Sequence, residues 1–140
     1  MARVTFKYEE WACKAQKGHY ADAGIDLRTP KSVSIPAHGS VVIDTGVMAD
    51  IPEGYYGQLE SKSGLNVKHG VVSCGGTIDA GYTGHINVKL YNLSDNPYFF
   101  NKGDKVVQMI VQPCVIDGIV GIDILDDSER GDNGFGSTGR

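Results

Sequence analysis

The sequence predicts an all-β domain, an antiparallel sandwich, barrel or jelly roll built from many short strands. Three observations predict it. Apolar and polar residues alternate along several segments, while the 3.6-residue repeat of an amphipathic helix is nearly absent. Turn-forming runs punctuate those segments: Pro36-Ala37-His38-Gly39, Pro52-Glu53-Gly54, Ser94-Asp95-Asn96-Pro97 and Lys102-Gly103-Asp104. Glycine makes up nineteen of the 140 residues, about twice the average usage of roughly 7%. It clusters at 54–57, 75–84 and 131–139. Glycine reaches positive φ freely and lets a ligand approach the backbone, so tight turns and a backbone-lined binding site are expected.

The elements follow in chain order. Val4-Thr5-Phe6-Lys7-Tyr8 reads as a strand with Val4, Phe6 and Tyr8 on one face. Val41-Val42-Ile43 and residues 55–60 are further candidates. One short helix is expected from Ser63 or Gly64 to Lys68, with Ser63 as its cap. His85-Ile86-Asn87-Val88-Lys89-Leu90-Tyr91 alternates cleanly and should turn Ile86, Val88 and Leu90 inward. Residues 106–116 are almost continuously apolar, so both faces of that strand should be covered, with a second subunit able to supply one cover. The tail from Arg130 to Arg140 cannot pack a core. A frayed end is the usual fate of such composition, but an arginine, an aromatic and two hydroxyls among glycines also suit a phosphate-cradling loop.

One domain is expected from the length, and 41% hydrophobic residues are enough for one core. No apolar run approaches the roughly 20 residues that span a bilayer, and the first residues lack the apolar core of a secretion signal. The expectation is a cytoplasmic protein with no membrane partner. A net charge of −4 argues against a nucleic-acid partner, which needs a basic face, but not against a single nucleotide. Cys13, Cys74 and Cys114 match no zinc or redox spacing and read as free thiols. His19, His38, His69 and His85 lack metal-ligand spacing and read as structural or exposed.

Five short segments carry a resemblance. They are Ala23-Gly24-Ile25-Asp26-Leu27, Ser61-Lys62-Ser63-Gly64-Leu65, Gly76-Thr77-Ile78-Asp79-Ala80-Gly81-Tyr82, Gly103-Asp104-Lys105-Val106-Val107-Gln108-Met109, and Arg130 to Gly139 preceded by Leu125-Asp126-Asp127-Ser128-Glu129. In that order and spacing they resemble the five motifs of the dUTPase family, from about residue 4 to the last. The resemblance implies a distorted jelly-roll or barrel-like core over 1–129 and a flexible active-site lid over 130–140. It implies a homotrimer whose three sites lie between subunits. The implied reaction hydrolyses dUTP to dUMP and pyrophosphate with Mg2+, keeping uracil out of DNA and supplying dUMP for dTMP synthesis.

The same resemblance assigns roles. Asp79 would deprotonate the attacking water, a task that suits a carboxylate held beside it; by itself it reads as a turn aspartate. Tyr82 would pack on the deoxyribose and leave no room for a 2′-hydroxyl. Gly76, Thr77 and Ile78, within loop 72–78, would offer backbone groups to uracil and reject cytosine through mismatched donors. Asp26 would hold a magnesium-bound water; otherwise it pairs with a cation such as Arg28. Mg2+ keeps several waters and takes phosphate oxygens, so no dedicated protein cage is expected. Lys62, Ser63, Gly64 and Gln108 would contact phosphate, and Lys89 is grouped with the substrate-binding residues. Arg130 would meet the γ-phosphate, Phe135 would stack on uracil, and Gly136, Ser137 and Thr138 would close on the phosphates.

Two positions depart from the family pattern. Lys62 stands where motif two usually has Arg, keeping the charge but losing the planar fork. Gly81 stands where an acidic residue is frequent. Two rival functions are weighed against the main one. A dCTP deaminase or bifunctional relative would carry a catalytic glutamate near Ile78-Asp79. A silent binding protein on the same fold would bind dUTP without turnover.

Overall fold

Alternation and turn chemistry place eleven strands and one helix among residues 3–134, which the computed structural model describes. Every strand pairing is antiparallel. The largest sheet has four strands in the order β2 (Gly24–Arg28), β11 (Lys105–Pro113), β6 (Tyr55–Glu60), β8 (Thr77–Ile78). A second has the order β4 (Ser40–Asp44), β9 (Asn87–Asn92), β7 (Val71–Ser73). Two-stranded ribbons join β1 (Thr5–Tyr8) to β5 (Val47–Asp50) and β10 (Tyr98–Phe100) to β3 (Val33–Ile35). The expected all-β class holds, but among the described residues the ladders do not close into a barrel.

The core lies where the alternation points. Ile86, Val88 and Leu90 are buried while Asn87 and Lys89 are exposed. Leu27, Ile43, Val71 and Met109 meet them in one apolar cluster. β11 breaks the period of two: Val106 and Val107 are both buried. Its register against β2 shifts between Lys105 and Val107, and such a bulge turns two successive side chains inward. The strand ends at Pro113, which has no N–H to extend the ladder. Within the single chain Ile110 and Val111 are half-buried and Val115 and Ile116 exposed, and beyond them Ile119, Val120, Ile124 and Leu125 stand exposed on an arm without strands.

The helix α1 (Ser63–His69) is present, but Ser63 is not its cap. Lys62 occupies the cap position in an extended conformation and makes no side-chain cap hydrogen bond. Ser63 already belongs to the first turn. The helix ends at Gly70, whose φ of 66° an L side chain rarely adopts. No helix among the described residues is long and apolar enough to cross a membrane.

Candidate active site

Asp26 sits on β2 directly opposite Gln108 on β11, and Gln108 is in turn opposite Glu60 on β6. This three-strand register gathers the polar residues of three separate segments. Gly24 is required by the gathering: a Cβ there would fall 1.9 Å from Gln108 Oε1. Freed of that clash, Gln108 Nε2 donates to the Ser61 carbonyl at 3.0 Å. Ser61 Oγ donates to the Ser73 carbonyl and accepts from the Ser73 N–H, at 3.0 and 2.9 Å. The strand-to-helix turn is thereby fixed before Lys62 leaves it.

Asp26 is buried and shares its two oxygens between two ammonium groups, Lys62 Nζ at 2.6 Å and Lys105 Nζ at 3.4 Å. The expected alternative partner, Arg28, is elsewhere; its guanidinium donates to the Gly103 carbonyl at 2.8 Å. Lys62 and Lys105 border a cleft of about 280 Å3, lined also by Gly64, Lys68, His69 and Tyr98. Three lysines against one paired carboxylate make this cleft cationic. Ser63 is exposed at its helical rim. Lys105, within the motif segment Gly103–Met109 and three residues before Gln108, joins the site without a role expected from the sequence.

A second cleft, of about 260 Å3, is lined by Leu59, Gly76, Thr77, Ile78, Asp79, Tyr82, His85 and Asn87. β8 is only two residues long and pairs with Gly57 and Gln58, and the backbone of 75–76 serves as its approach. The Gly76 carbonyl accepts from Leu59 N–H at 3.0 Å. Gly75 has a φ of 95°, open to glycine at little cost. Asp79 and Tyr82 are joined by a turn in which Tyr82 N–H donates to the Asp79 carbonyl at 3.1 Å. Both are exposed at the mouth. His85 and Asn87 also line this cleft, and neither was chosen from sequence.

The two clefts have no lining residue in common. Lys89 lines neither; its Nζ lies 5.4 Å over the Tyr91 ring. Arg130 is held in a local turn, its Nε donating to the Asn133 carbonyl at 2.6 Å. Phe135, Gly136, Ser137 and Thr138 lie outside the described residues. Among the described residues no three His, Cys, Asp or Glu side chains converge to hold a metal.

The class is an all-β protein with one cleft bordered by lysines and a separate one lined by the 76–78 segment, Asp79 and Tyr82. The comparisons give the family. The dUTPase family model matches residues 12–139, and the chain belongs to the dUTPase family. It is 40% identical over 131 residues to the deoxyuridine 5′-triphosphate nucleotidohydrolase of Eremothecium gossypii, covering 93% of this chain and 86% of that one. Its fold matches the Staphylococcus bacteriophage 80alpha dUTPase solved with dUpNHpp at a TM-score of 0.91, with 29% identity and 99% of both chains covered. It matches the D95N mutant dUTPase of phage phi11 of S. aureus, in which a structural Mg(II) ion is coordinated, at a TM-score of 0.80. There the identity is 26%, over 87% of this chain and 97% of the other.

Proposed function

We propose that this chain, a dUTP diphosphatase, hydrolyses dUTP to dUMP and pyrophosphate by water attack assisted by Asp79. One observation carries the reading: Asp79, Tyr82 and the backbone of 76–78 line a single cleft, as a base, a sugar wall and a uracil edge require. In this reading attack falls at the α-phosphorus, with pyrophosphate as the leaving group. A water oxygen bonds to the α-phosphorus, Asp79 takes its proton, and the bond to the departing pyrophosphate oxygen breaks. Tyr82 excludes a ribose 2′-hydroxyl, and the main chain of 76–78 selects uracil. Lys62, Gly64 and Gln108 serve the phosphates, with Ser63 at the rim and Lys105 beside them. Arg130, with Phe135, Gly136, Ser137 and Thr138, closes over the bound nucleotide as the lid 130–140.

Mg2+ fits as a guest of the substrate. Asp26 is the buried carboxylate of the phosphate half, and its oxygens are already shared by two lysines, so it suits an outer, water-mediated contact. When bound, the ion would neutralise triphosphate charge.

The active unit is a homotrimer with sites shared between subunits. Two features support this: the two clefts share no lining residue, and the arm after Pro113 exposes apolar side chains among the described residues. Exposed apolar side chains in such number suit a protein contact. The free thiols of Cys13, Cys74 and Cys114 suit the reducing cytoplasm. Pyrophosphate release measured with dUTP, UTP, dCTP and dTTP, each with Mg2+ and with EDTA, tests the reading. Release from dUTP alone, suppressed by EDTA, is expected. Comparable release from UTP or dCTP, or none from dUTP, overturns it.

A further inference from the structure

Tyr82 does not stand free at its cleft. Its ring folds back over Gly84, where an added Cβ would lie 2.6 Å from the hydroxyl and 2.8 Å from Cζ. The hydroxyl then donates to the His85 carbonyl at 2.7 Å. The ring of His85 is gripped at both nitrogens. Nδ1 lies 3.0 and 3.1 Å from the two oxygens of Asp44 at the end of β4, and Nε2 lies 3.2 Å from Glu9 Oε1 just after β1. Trp11 meets the same ring edge-on, with centroids 5.8 Å apart. Glu9 itself is tied down, its N–H donating to the Gly46 carbonyl at 2.9 Å, and Asp44 accepts from the Gly46 N–H at 2.9 Å.

We propose that His85 is a positioning residue for the sugar wall: clasped between Asp44 and Glu9, it fixes the carbonyl that anchors the Tyr82 hydroxyl. This rests on the reading of Tyr82 as that wall. A neutral imidazole has one N–H and can donate to one carboxylate; only the imidazolium donates to both. The clasp is therefore complete in the protonated ring and half-open in the neutral one. Asp44 from β4 and Glu9 from the turn after β1 both favour the proton, and hold His85 above its ordinary value. The remaining groups nearby are Lys31, which acts on Asp44, and Asp79 and Tyr82 across the cleft. The side chain is only 29% exposed, and that burial opposes the charge but is outweighed by the hydrogen bonds to Asp44 and Glu9. The main chain offers a rival anchor: Ile86 N–H donates to the Val47 carbonyl at 2.8 Å, next to the carbonyl in question.

Steady-state kinetics of the full-length protein, His85→Gln, Glu9→Gln and Tyr82→Phe on dUTP and UTP between pH 6 and 9 decide the matter, with melting temperature as a check on folding. His85→Gln should raise KM for dUTP roughly three- to tenfold, the net worth of about one hydrogen bond. Its kcat should hold, and its preference for dUTP over UTP should fall. In the parent protein KM should climb on the alkaline side as the imidazolium loses its proton, whereas in His85→Gln it should be flat. Glu9→Gln should move that climb to lower pH. Lower melting temperatures with unchanged KM and pH profiles would make His85 structural only, with Ile86 the sufficient anchor, and would overturn the proposal. If Tyr82→Phe shifts the dUTP preference and His85→Gln does not, the clasp alone fails. If neither shifts it, the sugar-wall reading itself fails.

Discussion

At the scale of the residue, a few side chains separate catalysis from charge and from stability. Asp79→Asn keeps the shape of the cleft and removes the proposed base, so turnover should fall by about 10²–10⁴-fold. Binding of dUpNHpp should persist, and the two are measured by pyrophosphate release and calorimetry. Lys62 and Lys105 divide Asp26 between them. Lys62→Arg should therefore keep most activity, while Lys62→Ala should lower kcat/KM and leave Asp26 paired with Lys105 at little cost in melting temperature. Equal wild-type kinetics in both variants would reduce Lys62 to a surface charge. The Asp44–His85 pair has its own pH window. Burial works against the Asp44 carboxylate, yet hydrogen bonds from His85 and Gly46 hold it below its ordinary 3.8. Its stabilising effect is full above that pH and is lost as pH falls through the lowered value. His85, raised from 6.5, contributes fully below 6.5 and loses its effect as pH rises through the raised value. The melting-temperature deficit of Asp44→Asn should thus be widest between about pH 4 and 6.5.

At the scale of the element, the register of β2, β11 and β6 does what no single motif could announce. Gly24→Ala tests it. A Cβ 1.9 Å from Gln108 Oε1 and 2.9 Å from Gln108 Cβ must displace the side chain or spread the strands. Overpacking of this kind typically costs about 1–3 kcal/mol. Both melting temperature and kcat/KM should fall, and a fully active, stable Gly24→Ala would mean that Gln108 needs no fixed path. This element also shows what was legible in the sequence. Period-two alternation exposed Ile86, Val88 and Leu90, because burial on one face is a local rule. The bulge that turns Val106 and Val107 inward together was illegible, because it arises from pairing with β2 rather than from the strand itself. The short strands β3, β7, β8 and β10 are not legible because two or three residues carry no period; β2, buried at four successive residues, shows no alternation, and β5 also has no counterpart among the expected strands. The cap on α1 was misassigned to Ser63 by one position, since a hydroxyl signals a helix start without fixing which residue first turns.

At the scale of the whole molecule, the motifs named the site residues but not their division. Asp26 pairs with Lys62 beside one cleft, with Gln108 opposite Asp26 on the neighbouring strand, and Asp79 with Tyr82 lines another, a separation that depends on tertiary packing. The arm belongs to this scale too. In the proposed trimer its apolar residues would be covered, so truncation after Pro113 should leave a smaller assembly, as read by light scattering. Truncation after Glu129 should leave size and melting temperature unchanged while abolishing turnover, because it removes Arg130 and the lid but little apolar area. The central claim is a dUTP-hydrolysing site assembled from several subunits, and complementation tests it most directly. The chain truncated after Glu129 and the Asp79→Asn chain, each nearly inactive alone, are unfolded, mixed, refolded together and assayed for pyrophosphate release from dUTP. The account predicts that activity returns in hybrid trimers, where one chain lends its Asp79 and another its lid. Refolded hybrids no more active than the separate variants would contradict it.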